Sequence, residues 1–530
     1  MRIKNFIFIA VFALSMTAKA DEIKRPDSYN YQKGCEAATN GRFEEGMKYL
    51  KTELQANPQN GYVWAWILYT HVGLQEWDKG IEAGQKALKL LPHKDSQYIG
   101  FVHSTLSKLY DNMDDEDKAL SEINLAVKAD PQNIDYVAIR ADLYYYNEDY
   151  AKANMDFEKI ISTNPGHPTG YIGMGRNLLA QKRYDAAIEK FNYAITLDAN
   201  LSQPYAFRAD CYLNKREYVL AAQDIVRALE IDANDRAFAM MVNCHDNCYK
   251  NLVLLMNVKA VEASDDNDWD YLLGVTHQTH NHFKDAIICY QKSNEREPYS
   301  NTYEHIAECY GEQGDYQRAL QNIEKAIAMD SSNNDLYRQE ADYHYYAGEC
   351  DKAIATMDKY ISNNPKFAWG YYRRGFYKDN IRDIDGALYD YTYCICLDPT
   401  YAYAYLGRGD MYRAKGNLEA AQKDYQMVVA LDTIISDEGN CRQYGYLMLG
   451  QKESADAYMQ KILNEYPTAE NYYDATCLTA RMGEYRRSLE YLKLAFEKGY
   501  HEIKHIEQDD DLDAIRKLPE YKALIEKYKH

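Results

Sequence analysis

Small and aromatic side chains recur down this chain at a fixed interval. A small residue stands at Gly46, Gly80, Ala119, Ala153, Ala187, Ala221, Ala286, Ala319, Ala353, Ala387, Ala421, Ala455 and Ser488, with Leu255 in the same register. Apolar positions flank each of them at helical spacing. Most neighbours are 34 residues apart, as Ala153, Ala187 and Ala221 are (187 minus 153). Twelve residues past the anchor comes a proline in Pro58, Pro92, Pro131, Pro165, Pro298, Pro365, Pro399 and Pro467, most of the chain's 12 prolines. A period of this length, with a proline at one phase, predicts a helical hairpin per interval whose second helix ends at the proline, because proline cannot continue the hydrogen-bond ladder.

The copies agree at many phased positions. Residues 168–201 show Tyr171, Gly175, Tyr184, Ala187, Phe191 and Ala194; residues 402–435 show Tyr405, Gly409, Tyr412, Ala421 and Tyr425. In this the sequence resembles the tetratricopeptide repeat family over roughly residues 27–500, as fourteen units, with 236–266 and 436–468 the weakest. The resemblance implies an all-α, right-handed superhelical solenoid of about fourteen hairpins. Small residues at positions 8 and 20 let the two backbones approach, and each unit buries its neighbour's face. The expected organisation is a leader at 1–20, an N-terminal array at 21–235, a degenerate repeat or hinge at 236–266, a C-terminal array at 267–500 and a capping segment at 501–530. The unit 236–266 has lost the aromatic pattern and carries Met240, Met241 and Met256. The cap is expected to contain a helix from about Leu512 to Lys529, with Pro519 near its middle turn, and to cover the last hairpin.

A second regularity overlies the first. Arg140, Arg208, Arg374 and Arg408 occupy position 7, and Asp156, Asp224, Asp390 and Asp424 follow sixteen residues later. One position lies on the first helix and the other on the second, which predicts a structural ion pair across each hairpin.

The family resemblance further implies that first helices line a concave surface. Position 9 then presents Asp142, Asp210, Glu308, Asp342 and Asp410; positions 12 and 13 present Tyr145, Tyr146, Tyr345 and Tyr346; position 5 presents Tyr372. Acids interleaved with tyrosines suit an extended peptide with basic residues, or stacking on sugar rings, since Tyr gives a broad rigid contact with a polar tip. The equal alternative is a wetted groove with inter-repeat packing. The Lys, Asn and Arg set with which the family clamps a C-terminal carboxylate is not reproduced.

Charge and composition narrow the class. The net charge is −20, with 61 basic and 81 acidic side chains, a field that repels nucleic acid and anionic lipid heads. Arg2 and Lys4, the apolar run Phe6 to Met16 and the small-x-small end Ala18-Lys19-Ala20 read as a cleavable export signal, which places the mature chain in a periplasm or outside the cell. No later stretch is apolar enough for a membrane span. Eleven scattered cysteines show no disulfide framework and read mostly as buried thiols. Cys244 and Cys248 are expected at i and i+4 on one helical face. His277, His280 and His282, with Asp265, Asp266 and Asp268 upstream, form a weak candidate metal site, and the aspartates at 509–511 a weaker one. No nucleophile elbow, phosphate loop or zinc-protease motif is present, and no cofactor is called for. The leading expectation is a non-catalytic exported scaffold for a protein or peptide partner. A carbohydrate- or peptide-binding accessory protein and, more weakly, a metal-dependent enzyme are the alternatives.

Overall fold

The computed structural model describes residues 25–232, 235–262, 268–432, 440–500 and 503–528. The leader at 1–20, with Asp265 and Asp266, lies outside the described residues. Among the described residues the chain is all-α and contains no strand. It divides into two compact units, Met1–Leu255 and Met256–His530, with the division inside helix Asp246–Glu262.

Each hairpin follows from local chemistry. In helix Tyr184–Leu197, Ala187, Phe191 and Ala194 are buried, one stripe at helical spacing facing the partner helix. An aspartate or asparagine commonly caps the next start: Asp149 accepts from the Lys152 amide and Asn133 from the amides of Asp135 and Tyr136. Between the two helices one residue adopts a left-handed conformation, Glu148 at φ 59°, Lys182 at 60°, Gly348 at 79°, and this turns the chain back.

Within each unit the hairpins stack. Helix Thr169–Ala180 packs against Ile134–Tyr146 and Ser202–Asn214, the first helices of its neighbours, whereas second helices pack chiefly on the first helices on either side. The first helices therefore form the inner face. Gly175 is required where helices meet, since a Cβ there would lie 2.5 Å from Phe191 Cε1.

The two units carry matching residues 200 positions apart (342 minus 142). Asp142, Tyr145, Tyr146, Gly175, Arg208, Asp210 and Asp224 recur as Asp342, Tyr345, Tyr346, Gly375, Arg408, Asp410 and Asp424. The two arrays thus carry the same residue types at several positions of the repeat.

Two local expectations are corrected. Cys244 and Cys248 do not share a helix: Asp235–Val242 ends before Cys244, and a new helix begins at Asp246. The cap is not one helix from Leu512. It is Ile503–Gln508, a 3-10 turn Asp510–Leu512, Asp513–Arg516 and Pro519–Tyr528. Pro519 opens the last helix instead of sitting inside it, because the first helical position needs no amide hydrogen.

Candidate functional site

The four position-7 arginines lie inside their hairpins. Arg208 donates from Nε and Nη2 to the two carboxylate oxygens of Asp224, at 2.7 and 2.6 Å, and from Nη1 to Asn192 at 2.5 Å. Arg140 grips Asp156 at 2.8 and 2.6 Å, Arg374 grips Asp390 at 2.9 and 2.5 Å, and Arg408 grips Asp424 at 2.8 Å twice. The aspartates are buried. Burial raises the Asp224 carboxyl above its ordinary value, and Arg208 opposes that shift. This two-pronged geometry fixes the angle between helices and leaves the guanidinium fork engaged. Arg442, in the weak unit, faces Tyr458 where the others meet aspartate, and its guanidinium lies 5.4 Å from that ring.

The inner face is polar and internally paired. Asp142 accepts from Arg176 at 2.8 Å, Asp210 from Arg236 at 2.7 Å, and Glu308 from Gln278 at 3.0 Å and His305 at 3.1 Å. Asp342 is held by Arg373 and by the Tyr377 hydroxyl, and Asp410 accepts from Tyr425 at 2.7 Å. Each position-9 acid therefore already has a donor, usually from the following repeat. Tyr345 packs among Phe376 and Tyr377, and Tyr372 among Tyr391, Tyr401 and Tyr403. Tyr145 carries the Arg176 guanidinium 4.6 Å above its ring. Tyr146 is 55% exposed.

Arg176, Phe207 and Arg236 are the inner-face residues that the sequence reading passed over. The Phe207 ring lies 5.6 Å from Arg176 and 4.0 Å from Arg236, so Tyr145, Arg176, Phe207 and Arg236 alternate aromatic and cation. A signal existed: Arg176 stands at position 9, where the flanking repeats hold Asp142 and Asp210.

The capping segment reaches the inner face of the C-terminal unit. His505 packs against Tyr346 with ring centres 6.1 Å apart, and against Tyr473 at 5.5 Å. Asp509 Oδ2 accepts from the Tyr473 hydroxyl at 2.7 Å and from the Cys477 thiol at 3.4 Å; Asp511 pairs with Arg481 at 3.5 Å. Ile506, Leu512, Ile515, Tyr521 and Ile525 anchor this segment in the apolar core of the last hairpin, beside Leu492 and Phe496. Carboxylates crowd the contact. Burial, with Asp509 and Asp511 nearby, pushes Asp474 up to about 7; burial, with Asp410 and Asp510, pushes Asp379 up to about 6; Asp511 rises to about 6, mainly through burial.

Cys477, Asp509 and Asp511 bring ligand atoms within 4.8 Å of one another, and that trio is the group of this kind among the described residues. His277, His280 and His282 do not converge so closely; the His277 and His282 rings are 6.4 Å apart, and the first is buried. Cys394 is buried and Cys396 exposed. Burial drives the Cys477 and Cys441 thiols well above their ordinary range and Cys211 and Cys309 up to about 12, so these sulfurs stay protonated and poorly nucleophilic.

Tetratricopeptide repeat family models match residues 102–133, 140–202, 307–366, 402–433 and 444–469. The chain is a tetratricopeptide repeat protein. It is similar to the TPR repeat-containing protein YpiA of Bacillus subtilis (strain 168), 23% identical over 306 residues, which cover 56% of this chain and 71% of that protein. It is 23% identical over 216 residues to DnaJ homolog subfamily C member 7 of Homo sapiens, covering 41% of this chain and 40% of that one, so it spans less than half of that relative. The solved APC/C hetero-tetramer Cut9–Hcn1 aligns over 92% of this chain and 96% of its own, at 11% identity and a TM-score of 0.31. No helix of the described residues is long and apolar enough to cross a membrane.

Proposed function

We propose that this tetratricopeptide repeat protein is an exported, non-catalytic scaffold that binds a protein or peptide partner along the inner faces of its two arrays. The observation that carries the reading is the inner face, where acids, arginines and tyrosines of successive first helices hydrogen-bond to one another. Pre-positioned aromatic and Arg side chains supply contact at little further entropy cost, which is how interaction surfaces gain affinity. Protonated, buried thiols and carboxylates already held by Arg and Tyr donors argue for recognition over chemistry. Export rests on the N-terminal charged, apolar and small-x-small pattern, and a periplasmic or extracellular site follows from it. At long range the net charge of −20 favours a basic partner; at the inner face the acids already have donors, so local contacts decide.

The test is affinity capture of the chain without residues 1–20 from its native envelope, followed by mass spectrometry. A stoichiometric protein partner, lost in Tyr145→Ala with Tyr345→Ala, is the expected result. Capture of no protein counts against the scaffold and directs attention to small ligands.

A further inference from the structure

We infer that Cys477, His505, Asp509 and Asp511 form a binding site for a divalent transition-metal ion of the zinc class, which clasps the capping segment to the last hairpin. The site lies where the cap docks, and it does not depend on the scaffold reading.

Segments far apart in sequence meet there. Cys477 stands on helix Ala469–Met482, the first of the last hairpin; His505 on the short helix Ile503–Gln508; Asp509 and Asp511 at the 3-10 turn that follows. Ile506 and Leu512, fully buried before and after Asp509, fix the backbone that carries the carboxylates. Asp509 is oriented before any ion arrives. Its Oδ1 accepts from the Asp511 amide at 2.9 Å and its Oδ2 from the Tyr473 hydroxyl at 2.7 Å. Cys477 is 3% exposed, and its Sγ lies 3.4 Å from the same Oδ2.

The spacing is that of ligands sharing one ion. In a tetrahedral zinc site, with sulfur about 2.3 Å and oxygen about 2.1 Å from the metal, the two ligand atoms stand about 3.6 Å apart. Here that separation is 3.4 Å. Ligand atoms of Cys477, Asp509 and Asp511 all lie within 4.8 Å of one another, and His505 Nε2 is 4.0 Å from Asp509 Oδ2, within reach as the fourth ligand.

The donor set selects the metal. Calcium and magnesium take oxygen ligands, whereas sulfur, imidazole and carboxylate together suit zinc. The charges also close. A thiolate and two carboxylates are balanced by a dication and the Arg481 guanidinium, 3.5 Å from Asp511. Asp474, on the same helix as Cys477, adds to the negative field around the sulfur. On binding, the Cys477 S–H bond breaks, the proton leaves to solvent, and the sulfur electron pair bonds to the ion. Four protein ligands leave no open position for a substrate, so the site is structural.

The experiment takes the chain without residues 1–20, reduced and stripped of metal with a chelator, and titrates it with Co²⁺, whose spectrum reports its ligands. A thiolate-to-cobalt charge-transfer band in the near ultraviolet, with the intense visible bands of tetrahedral coordination, is expected to saturate at stoichiometric ion and to vanish when Zn²⁺ is added. Cys477→Ser is expected to abolish the charge-transfer band, and Cys396→Ser, at an exposed thiol, to keep it. In competition with a chromophoric chelator, Asp509→Asn and Asp511→Asn are each expected to weaken Zn²⁺ binding at least about tenfold, a loss that even residues supporting a ligand commonly cause. No charge-transfer band, a band that survives Cys477→Ser, or a Zn²⁺ affinity indifferent to both Asn variants overturns the site. If Cys477→Ser does not fold, Asp511→Asn, at a partly exposed carboxylate, decides: weakened Zn²⁺ binding upholds the site and unchanged binding removes it.

Discussion

At the scale of single residues, two devices recur and both are testable. The turn residue of each hairpin described above has positive φ; it is glycine at Gly348 and Gly416 but Lys182 at 60° and Arg382 at 60° elsewhere. A side chain in that region costs roughly 1–2 kcal/mol, partly offset by the greater chain entropy of glycine. Lys182→Gly is therefore expected to stabilise the N-terminal unit by about 0.5–1 kcal/mol in chemical denaturation, and Gly348→Ala to destabilise the C-terminal unit by a similar amount. The second device is the Arg–Asp pair. Asp224→Ala leaves Arg208 without its counter-charge in a largely buried site and is expected to cost about 3 kcal/mol. Arg208→Met with Asp224→Leu is expected to cost clearly less, since no charge is then stranded; equal losses in single and double variants refute that account. The spacing of sixteen made these pairs legible. The third donor contact, from Arg208 to Asn192 of the preceding helix, was not, because it depends on how hairpins stack.

At the scale of elements, the small residue at position 8 of a unit sets a contact distance. Gly175→Ala places a methyl 2.5 Å from Phe191, whose ring is fully buried, and is expected to cost about 1–3 kcal/mol and to lower the melting temperature. The capping segment behaves differently, because it is apolar beneath and acidic above. Asp379, Asp410 and Asp474 of the array face Asp509, Asp510 and Asp511 of the cap, with Arg481 and His505 among them. Asp474 is lifted to about 7 and Asp379 and Asp511 to about 6, above the ordinary aspartate value near 3.9. The folded C-terminal unit thus takes up protons that the unfolded chain does not. Its stability is greatest at low pH and declines as pH rises through about 6–7, by about 1–2 kcal/mol after allowance for solvent screening. Amide exchange in residues 503–512, corrected for intrinsic rates, is expected to be slower at pH 5.5 than at pH 8; the reverse order contradicts the assignment. The sequence announced a closing segment and its aspartates. It did not announce Pro519 as a helix start, since a proline inside an apolar period and a proline opening a new helix look alike until the chain's path is known.

At the scale of the whole molecule, the chain is two stacks of locally connected hairpins. Stability in such arrays is nearly a sum of neighbour terms. Asp224→Ala is expected to raise amide exchange in the hairpins around residues 202–231 and to leave residues beyond 268 unchanged; a uniform rise along the chain argues for one cooperative fold. The 34-residue period, the prolines and the phased small residues determined the all-α repeat architecture from sequence alone, because each hairpin is built from contacts within its own span or its neighbour's. The inner-face contacts were decided only in three dimensions. Asp142 meets Arg176 through the 34-residue stagger of first helices, Phe207 lies between two guanidinium groups contributed by different helices, and His505 reaches Tyr346 across a long stretch of sequence. A periodic sequence reports which residues share a phase; which phases touch is set by the stacking of the helices, and there the position-9 acids find their donors.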